Sequence, residues 1–167
     1  LPNETWQSDF THWRLEDGSD VEILNWLDDH SRYLLSCKVF TPVLGVDVVN
    51  TFKECVNEYG LPASTLTDNG TVYTARFVKG RNQFEHLLKT LGVQQKNGRP
   101  GHPTTQGKIE HLHRTQKHWL GSQPRAKTVM ELQTQLDEFT HTYNTLRPHS
   151  AHSPKATPVT AYWALPK

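Results

Sequence analysis

The stretch Gly98-Arg-Pro-Gly-His-Pro-Thr-Thr-Gln-Gly-Lys-Ile-Glu-His-Leu-His-Arg-Thr-Gln-Lys117 decides how the rest of the chain is read. Pro100 and Pro103 each disfavour helix at the preceding residue, so the first half is a loop. Past Gly107, Ile109, Leu112 and Trp119 fall on one side of a helix, suited to a core. A second side carries Gln106, Glu110, His113, Arg114 and Lys117. Glu110 is the one acid in a basic run. An i,i+4 pair with Arg114 would account for it at about 0.2–0.5 kcal/mol. A divalent metal on Glu110, with DNA phosphates on its neighbours, accounts for more of the pattern.

Working back from that helix, Val93–Lys96 reads as a short strand. Before it, Phe84, Leu87, Leu88 and Leu91 form an amphipathic helix closed by Gly92. Ser64–Thr67 is another short strand, running into Asp68-Asn69-Gly70. Asn-Gly makes a tight turn, which leaves Asp68 at the strand's end, where sites collect in α/β sheets. Val46, Val49, Phe52, Val56 and Tyr59 recur at helical spacing ahead of Gly60-Leu61-Pro62. Three strands come first, over residues 5–13, 21–28 and 32–40, joined by short turns as an antiparallel meander. Asp9 lies within the first. Asp28 and Asp29 read as turn formers. Working forward, Val129, Leu132, Leu136, Phe139 and Tyr143 mark a core-facing helix, and a Pro-rich tail follows with a short turn near Thr160–Trp163. The predicted fold is α/β: a five-stranded mixed sheet, three antiparallel strands first, flanked by helices.

Bulk properties narrow the classes of function. A chain of 167 residues fits one domain. No apolar run reaches the roughly 20 residues of a membrane span, so no membrane partner is expected. Cys37 and Cys55 are the only cysteines, which argues against a disulfide scaffold or a Cys-based zinc site and suits a reducing compartment. Net charge is +1 but unevenly spread. Residues 1–60 hold 11 acids against 4 Lys/Arg, whereas residues 96–127 hold 7 Lys/Arg, one acid and four His. The second stretch is the expected anion-binding surface. His111 and His113 stand two apart on a helix, which suits zinc ligation poorly.

Three carboxylates occupy strand ends or edges in this arrangement: Asp9, Asp68 and Glu110. Hard divalent ions take oxygen ligands. Three carboxylates can hold two such ions about 3.5–4 Å apart, one at the attacking and one at the leaving oxygen of a phosphoryl transfer. Taken singly, each acid would more often be a cap or a surface charge.

The ordered pieces Trp6-Gln-Ser-Asp-Phe-Thr11, Asp28-Asp-His-Ser-Arg32, Thr67-Asp-Asn-Gly70, His102-Pro-Thr-Thr-Gln-Gly-Lys-Ile-Glu110 and Tyr143-Asn-Thr-Leu-Arg-Pro-His149 resemble the catalytic core of the retroviral integrase superfamily (DDE type). Within it the likeness is strongest to bacterial insertion-sequence transposases, and it covers residues 5–163. The resemblance implies a ribonuclease-H-like fold and a single catalytic core domain over residues 1–167. It implies Asp9, Asp68 and Glu110 as catalytic residues and metal ligands, with two Mg²⁺ or Mn²⁺ ions per site. The implied reaction is DNA cleavage and strand transfer on element ends and target DNA. Lys108, Arg114, Lys117, Gln106 and His113 are the expected DNA contacts. A homodimer or higher oligomer on DNA is expected, in the cytoplasm at the bacterial nucleoid, with the N-terminal DNA-recognition domain of such proteins absent from this chain. Two departures from the family pattern stand out, that missing domain and the spacing of the last two acids. Asp68 and Glu110 are separated by 41 residues, more than is usual in the family, with the extra length placed near Arg76–Asn82. The Gly98–Gly107 loop is expected to be mobile without DNA. The alternatives are a catalytically silent DNA-binding or assembly module on the same fold, and a related nuclease such as a ribonuclease H or resolvase.

Overall fold

The computed structural model describes residues 1–74, 82–98 and 106–166. The strands are β1 (Thr5–Arg14), β2 (Asp20–Asp28), β3 (Leu34–Phe40), β4 (Ser64–Thr67) and β5 (Gln94–Asn97). The helices are α1 (Gly45–Tyr59), α2 (Gln83–Leu91), α3 (Gly107–Gly121), α4 (Val129–Thr145) and α5 (Pro158–Trp163). Strand order is β3-β2-β1-β4-β5. β1–β3 pair antiparallel, and β4 and β5 add in parallel beside β1. This is the predicted mixed sheet. The third strand begins two residues later than expected because Arg32 sits in the turn before it, at φ 63°.

Side-chain alternation along the strands separates two cores. Val21, Ile23 and Leu27 of β2 meet Ile109 and Leu112 of α3 and Leu132, Leu136 and Phe139 of α4. Trp6, Leu24 and Trp26 meet Val48, Phe52 and Cys55 of α1 and Phe84 and Leu88 of α2, with Tyr162 of α5 closing the end. Phe52 packs on both Trp6 and Trp26, with ring centroids 5.8 and 5.4 Å apart. The stripe predicted for α1 is partly displaced: Val46 is exposed, while Val48 and Cys55 are buried. Val129, expected in the core, is exposed in the first turn of α4.

The helix ends follow local chemistry. The Asn82 side chain accepts from Glu85 N at 2.9 Å to start α2, and Gly92 ends it at φ 72°. Thr128 caps α4 through Glu131 N at 3.1 Å. On the edge strand β3, two amide side chains of α4 occupy the outward backbone groups. Asn144 accepts from Leu34 N at 2.8 Å and donates to Leu34 O at 2.9 Å. Gln133 does the same for Val39 N and Cys37 O, at 3.0 and 2.9 Å.

Candidate active site

Asp9 sits at the middle of β1, directly opposite Asn25 of β2. Alternation puts Gln7, Asp9, Thr11 and Trp13 on the sheet face covered by α3, whereas Trp6, Ser8 and Phe10 face α1. Phe10 N donates to Asp9 Oδ1 at 2.9 Å. Burial, then the charge of Asp68 and after it that of Glu110, push the Asp9 carboxyl up to about 7, against the lowering effect of the Phe10 N–H. Asp68 and Glu110, far from Asp9 in sequence, therefore both act on it electrostatically.

Asp68 follows the last residue of β4, so parallel pairing with β1 brings it toward Asp9. Its backbone carbonyl accepts from Asn97 Nδ2 at 3.1 Å, and Asn69 Nδ2 donates to Gly98 O at 2.9 Å. Gly70 N donates to Asp68 Oδ1 at 2.8 Å. A Cβ on Gly70 would stand 2.9 Å from that same oxygen. The Asp-Asn-Gly sequence is thus a device for holding one carboxylate. Tyr73 lies beneath the pair, fully buried, with its hydroxyl 3.1 Å from that of Ser8.

Glu110 lies on the exposed side of the first turn of α3. The helix is fixed to the sheet by a buried amide pair. Asn25 Nδ2 donates to Gln116 Oε1, and Gln116 Nε2 donates to Asn25 Oδ1, both at 3.2 Å. Since Asn25 is the strand partner of Asp9, this pair sets the height of Glu110 relative to Asp9. Sequence reasoning missed it, because nothing local links residues 91 positions apart.

Among the described residues no three His, Cys, Asp or Glu side chains converge closely enough to hold a metal ion. In other respects the site suits a hard divalent ion. Its donors are carboxylate oxygens, and five buried polar atoms close in sequence to the acids lack a hydrogen-bond partner among the described residues. These are Gln7 Oε1, Thr65 Oγ1, Asn69 Oδ1, Gln106 Nε2 and His113 Nε2. Each lies within four residues of Asp9, Asp68 or Glu110, as expected where a hydrated ion and its substrate complete the bonding.

The expected DNA contacts divide. Arg114 and Lys117 are exposed. Lys117 lines a groove of about 640 Å³ with Arg14 and Arg125, whose guanidinium lies 4.3 Å over the Trp13 ring. Lys108 is engaged instead with Asp29 at 2.8 Å. Gln106 is half-buried at the start of α3. His113 is not on the exposed face: it is 9% exposed, and burial, with Lys117 adding, holds it down at about 4, hence neutral. The DNA-facing side expected of α3 is one residue too wide, because His113 is buried. Asp28 does serve as a turn former, accepting from Ser31 N at 2.8 Å and Ser31 Oγ at 2.6 Å. Most of the Arg76–Asn82 flap and of the Gly98–Gly107 loop lies outside the described residues.

A mixed sheet of order β3-β2-β1-β4-β5, with acids on the central strand, at the end of its parallel neighbour and on the following helix, defines a ribonuclease-H-like α/β domain. The chain belongs to the integrase core domain family: one profile of that family matches residues 1–103 and a second matches residues 91–158. An uncharacterized 39.2 kDa protein of insertion element IS476 from Xanthomonas euvesicatoria is 28% identical over 160 residues, covering 90% of this chain and 42% of that protein. An uncharacterized 31.7 kDa protein of insertion element IS407 from Burkholderia multivorans is 28% identical over 156 residues, covering 90% of this chain and 52% of that protein. The chain spans about half the length of these relatives. The HTLV-2 integrase catalytic core domain, solved in complex with magnesium, superposes with a TM-score of 0.74 at 18% identity, over 97% of each chain. The catalytic core of BIV integrase gives 0.70 at 23%, over 97% of this chain and 95% of that one.

Proposed function

We propose that this chain is the catalytic core of a transposase, cutting and joining DNA strands by metal-dependent phosphoryl transfer. The observation that carries the reading is the Asp9 carboxyl, raised to about 7 by burial and by Asp68 and Glu110. Burying the Asp9 carboxyl beside the charges of Asp68 and Glu110 costs stability, which a cation bound there would offset. Asp9, Asp68 and Glu110 would hold the ions, two Mg²⁺ or Mn²⁺ in this reading. The integrase core solved with magnesium supports that choice. When bound, such ions supply Lewis acidity to a phosphodiester and to the oxygen that attacks it.

The chain's own residues account for placement. The Gly70 N–H and the Asn97 amide hold Asp68. The Asn25–Gln116 pair holds α3. Arg114 and Lys117 grip phosphates along the exposed side of α3. Water attacks a phosphodiester in a first step, and the freed 3′-hydroxyl attacks target DNA in a second. Joining two ends calls for at least two copies of the chain. The related HTLV-2 core, solved in dimeric and trimeric forms, supports a homo-oligomer on DNA. The element-end-reading domain would lie outside this chain, and the setting would be the bacterial cytoplasm at the nucleoid.

A second reading, a DNA-binding or assembly module without catalysis, is favoured by the open spacing of the carboxylates among the described residues. The two part in a strand-cleavage and strand-transfer assay with Mg²⁺ or Mn²⁺. Wild type should cut and join, and Glu110→Gln should lose at least about a hundredfold in rate while still binding DNA. Equal activity of the two proteins would remove Glu110 from the metal site. Inactivity of both, with DNA binding retained, would favour the second reading.

A further inference from the structure

The Tyr143–His149 motif and the turn at Arg32 are not used by the site above, yet the fold brings them together. Arg32, the first turn of α3 and the segment His149–Ala151 line one cleft of about 280 Å³. Its side chains include Arg32, Lys108, His111, His149 and Ser150, and among the described residues no carboxylate lines it.

Its geometry is built. Arg32 is held at φ 63°, a conformation that costs a non-glycine residue energy and gathers at functional sites. Asp28 enforces it: Arg32 N donates to Asp28 O at 3.0 Å, and the Asp28 carboxylate takes Ser31 N and Oγ. The tail locks the same turn, since His152 Nε2 lies 2.8 Å from Ser31 O and so must carry the proton. At His149, Nδ1 accepts from Ala151 N at 3.0 Å. A neutral His149 therefore carries its proton on Nε2 and is a donor there. Its ring lies 6.2 Å from that of His111. Lys108 is paired with the Asp29 carboxylate at 2.8 Å, and Arg32 Nη1 donates to the Asp29 backbone carbonyl, so both cations are anchored at the edge of the cleft.

We propose that this cleft binds a backbone phosphate of the DNA strand held at the active site. The inference rests on the DNA-processing reading above and deepens it by naming a subsite. A guanidinium and an ammonium beside the neutral His149 ring and a hydroxyl are the chemistry of a phosphodiester oxygen, which would compete with Asp29 for the two cations. Its position fits. Gln7 Nε2 donates to Asp29 Oδ1 at 2.6 Å, and Asp29 in turn takes Lys108 at 2.8 Å. Gln7 stands two residues before Asp9 on the same face of β1, roughly 7 Å away. That is the separation of Gln7 from Asp9, and the cleft lies past Gln7, through Asp29 and Lys108. The cleft takes its α3 residues, Lys108 and His111, from the turn that carries Glu110, whereas the groove of Arg14 and Arg125 takes Lys117 about two turns on.

The test uses this chain, with DNA binding followed by fluorescence anisotropy. Duplexes each carry one methylphosphonate, which removes the charge of a single phosphate. Arg32→Gln should weaken binding about tenfold and lower the slope of log affinity against log salt by about one. One methylphosphonate position should weaken binding by wild type but not by Arg32→Gln, and that position should lie within a few nucleotides of the cut. His111→Gln, an exposed helical position, should show the same coupling more weakly and covers the case in which Arg32→Gln misfolds. If every position weakens wild type and both variants equally while wild type binds DNA, the cleft is not a phosphate subsite and the transposase reading stands. If inorganic phosphate shifts the Lys108 and Ser150 amide resonances but no methylphosphonate couples to Arg32, the cleft takes a free anion and the proposal fails. If wild type binds no DNA, both readings fall together.

Discussion

At the scale of single residues, the sharpest constraint is at Gly70. Its N–H bonds the Asp68 carboxylate, and a Cβ would press on that same oxygen at 2.9 Å. Gly70→Ala must therefore move either the turn or the carboxylate. The turn is partly exposed and tied down by Asn69 and Asn97, so the carboxylate is the part that gives. Strand cleavage should fall by about a hundredfold, the effect expected of a displacement near 1 Å at a reacting centre. The urea midpoint should shift little. A Gly70→Ala protein that cleaves like wild type would show that Asp68 does not need this position. Asp9, Asp68 and Glu110 were all visible as candidates in sequence, because acids at a strand end or alone in a basic run break the local pattern. The burial of His113 and the pairing of Lys108 with Asp29 escape the sequence for a shared reason. Helical periodicity gives a face, but it does not give the angle at which the helix docks or an ion partner such as Asp29, 79 residues away.

At the scale of elements, α4 does more than bury a stripe. Asn144 and Gln133 act as a substitute partner strand for β3, pairing outward backbone groups that would otherwise form an open edge. Asn144→Ala should leave Leu34 N and O unpaired in a buried position and cost about 1–3 kcal/mol. Urea unfolding measures the loss, and amide exchange at Leu34 should quicken more than at Ile23 in the sheet interior. Unchanged exchange at Leu34 would mean the edge is protected by something else. Strand and helix order was legible because each element carries its own period, and because Gly60, Gly92 and the Asn-Gly turn mark the breaks. The amide contacts were not legible. Asn144 could be noted only as part of a motif, since its bond to Leu34 spans 110 residues. Similarly, the α1 stripe was read around Val46 when Val48 and Cys55 are buried, because two adjacent stripes of that helix are both apolar.

At the scale of the whole molecule, the carboxylates set function against stability. The Asp9 carboxyl titrates at about 7 in the fold, against an ordinary value of 3.8. Below pH 4 it is protonated in folded and unfolded chains alike and contributes nothing. Between pH 4 and 7 the unfolded chain releases the proton first, so stability falls as pH rises. Above 7 the penalty is complete. Three pH units correspond to about 4 kcal/mol, and partial exposure of the carboxyl cuts this to roughly 2 kcal/mol. Without divalent metal at pH 8, Asp9→Asn should therefore melt about 4–8 °C above wild type, and at pH 4 the two should coincide. Added Mg²⁺ or Mn²⁺ should act in the opposite sense. A cation that binds only the folded chain stabilises it by mass action, and it competes with the proton on Asp9. Wild type should gain in Tm with metal at pH 8 and gain little at pH 5.5, whereas Asp9→Asn should gain little at either. The order of stability of the two proteins should then narrow or reverse as metal is added at pH 8. Melting curves that rise in parallel for both would place the metal away from Asp9. A wild type no less stable than Asp9→Asn without metal at pH 8 would mean the three acids are not in conflict.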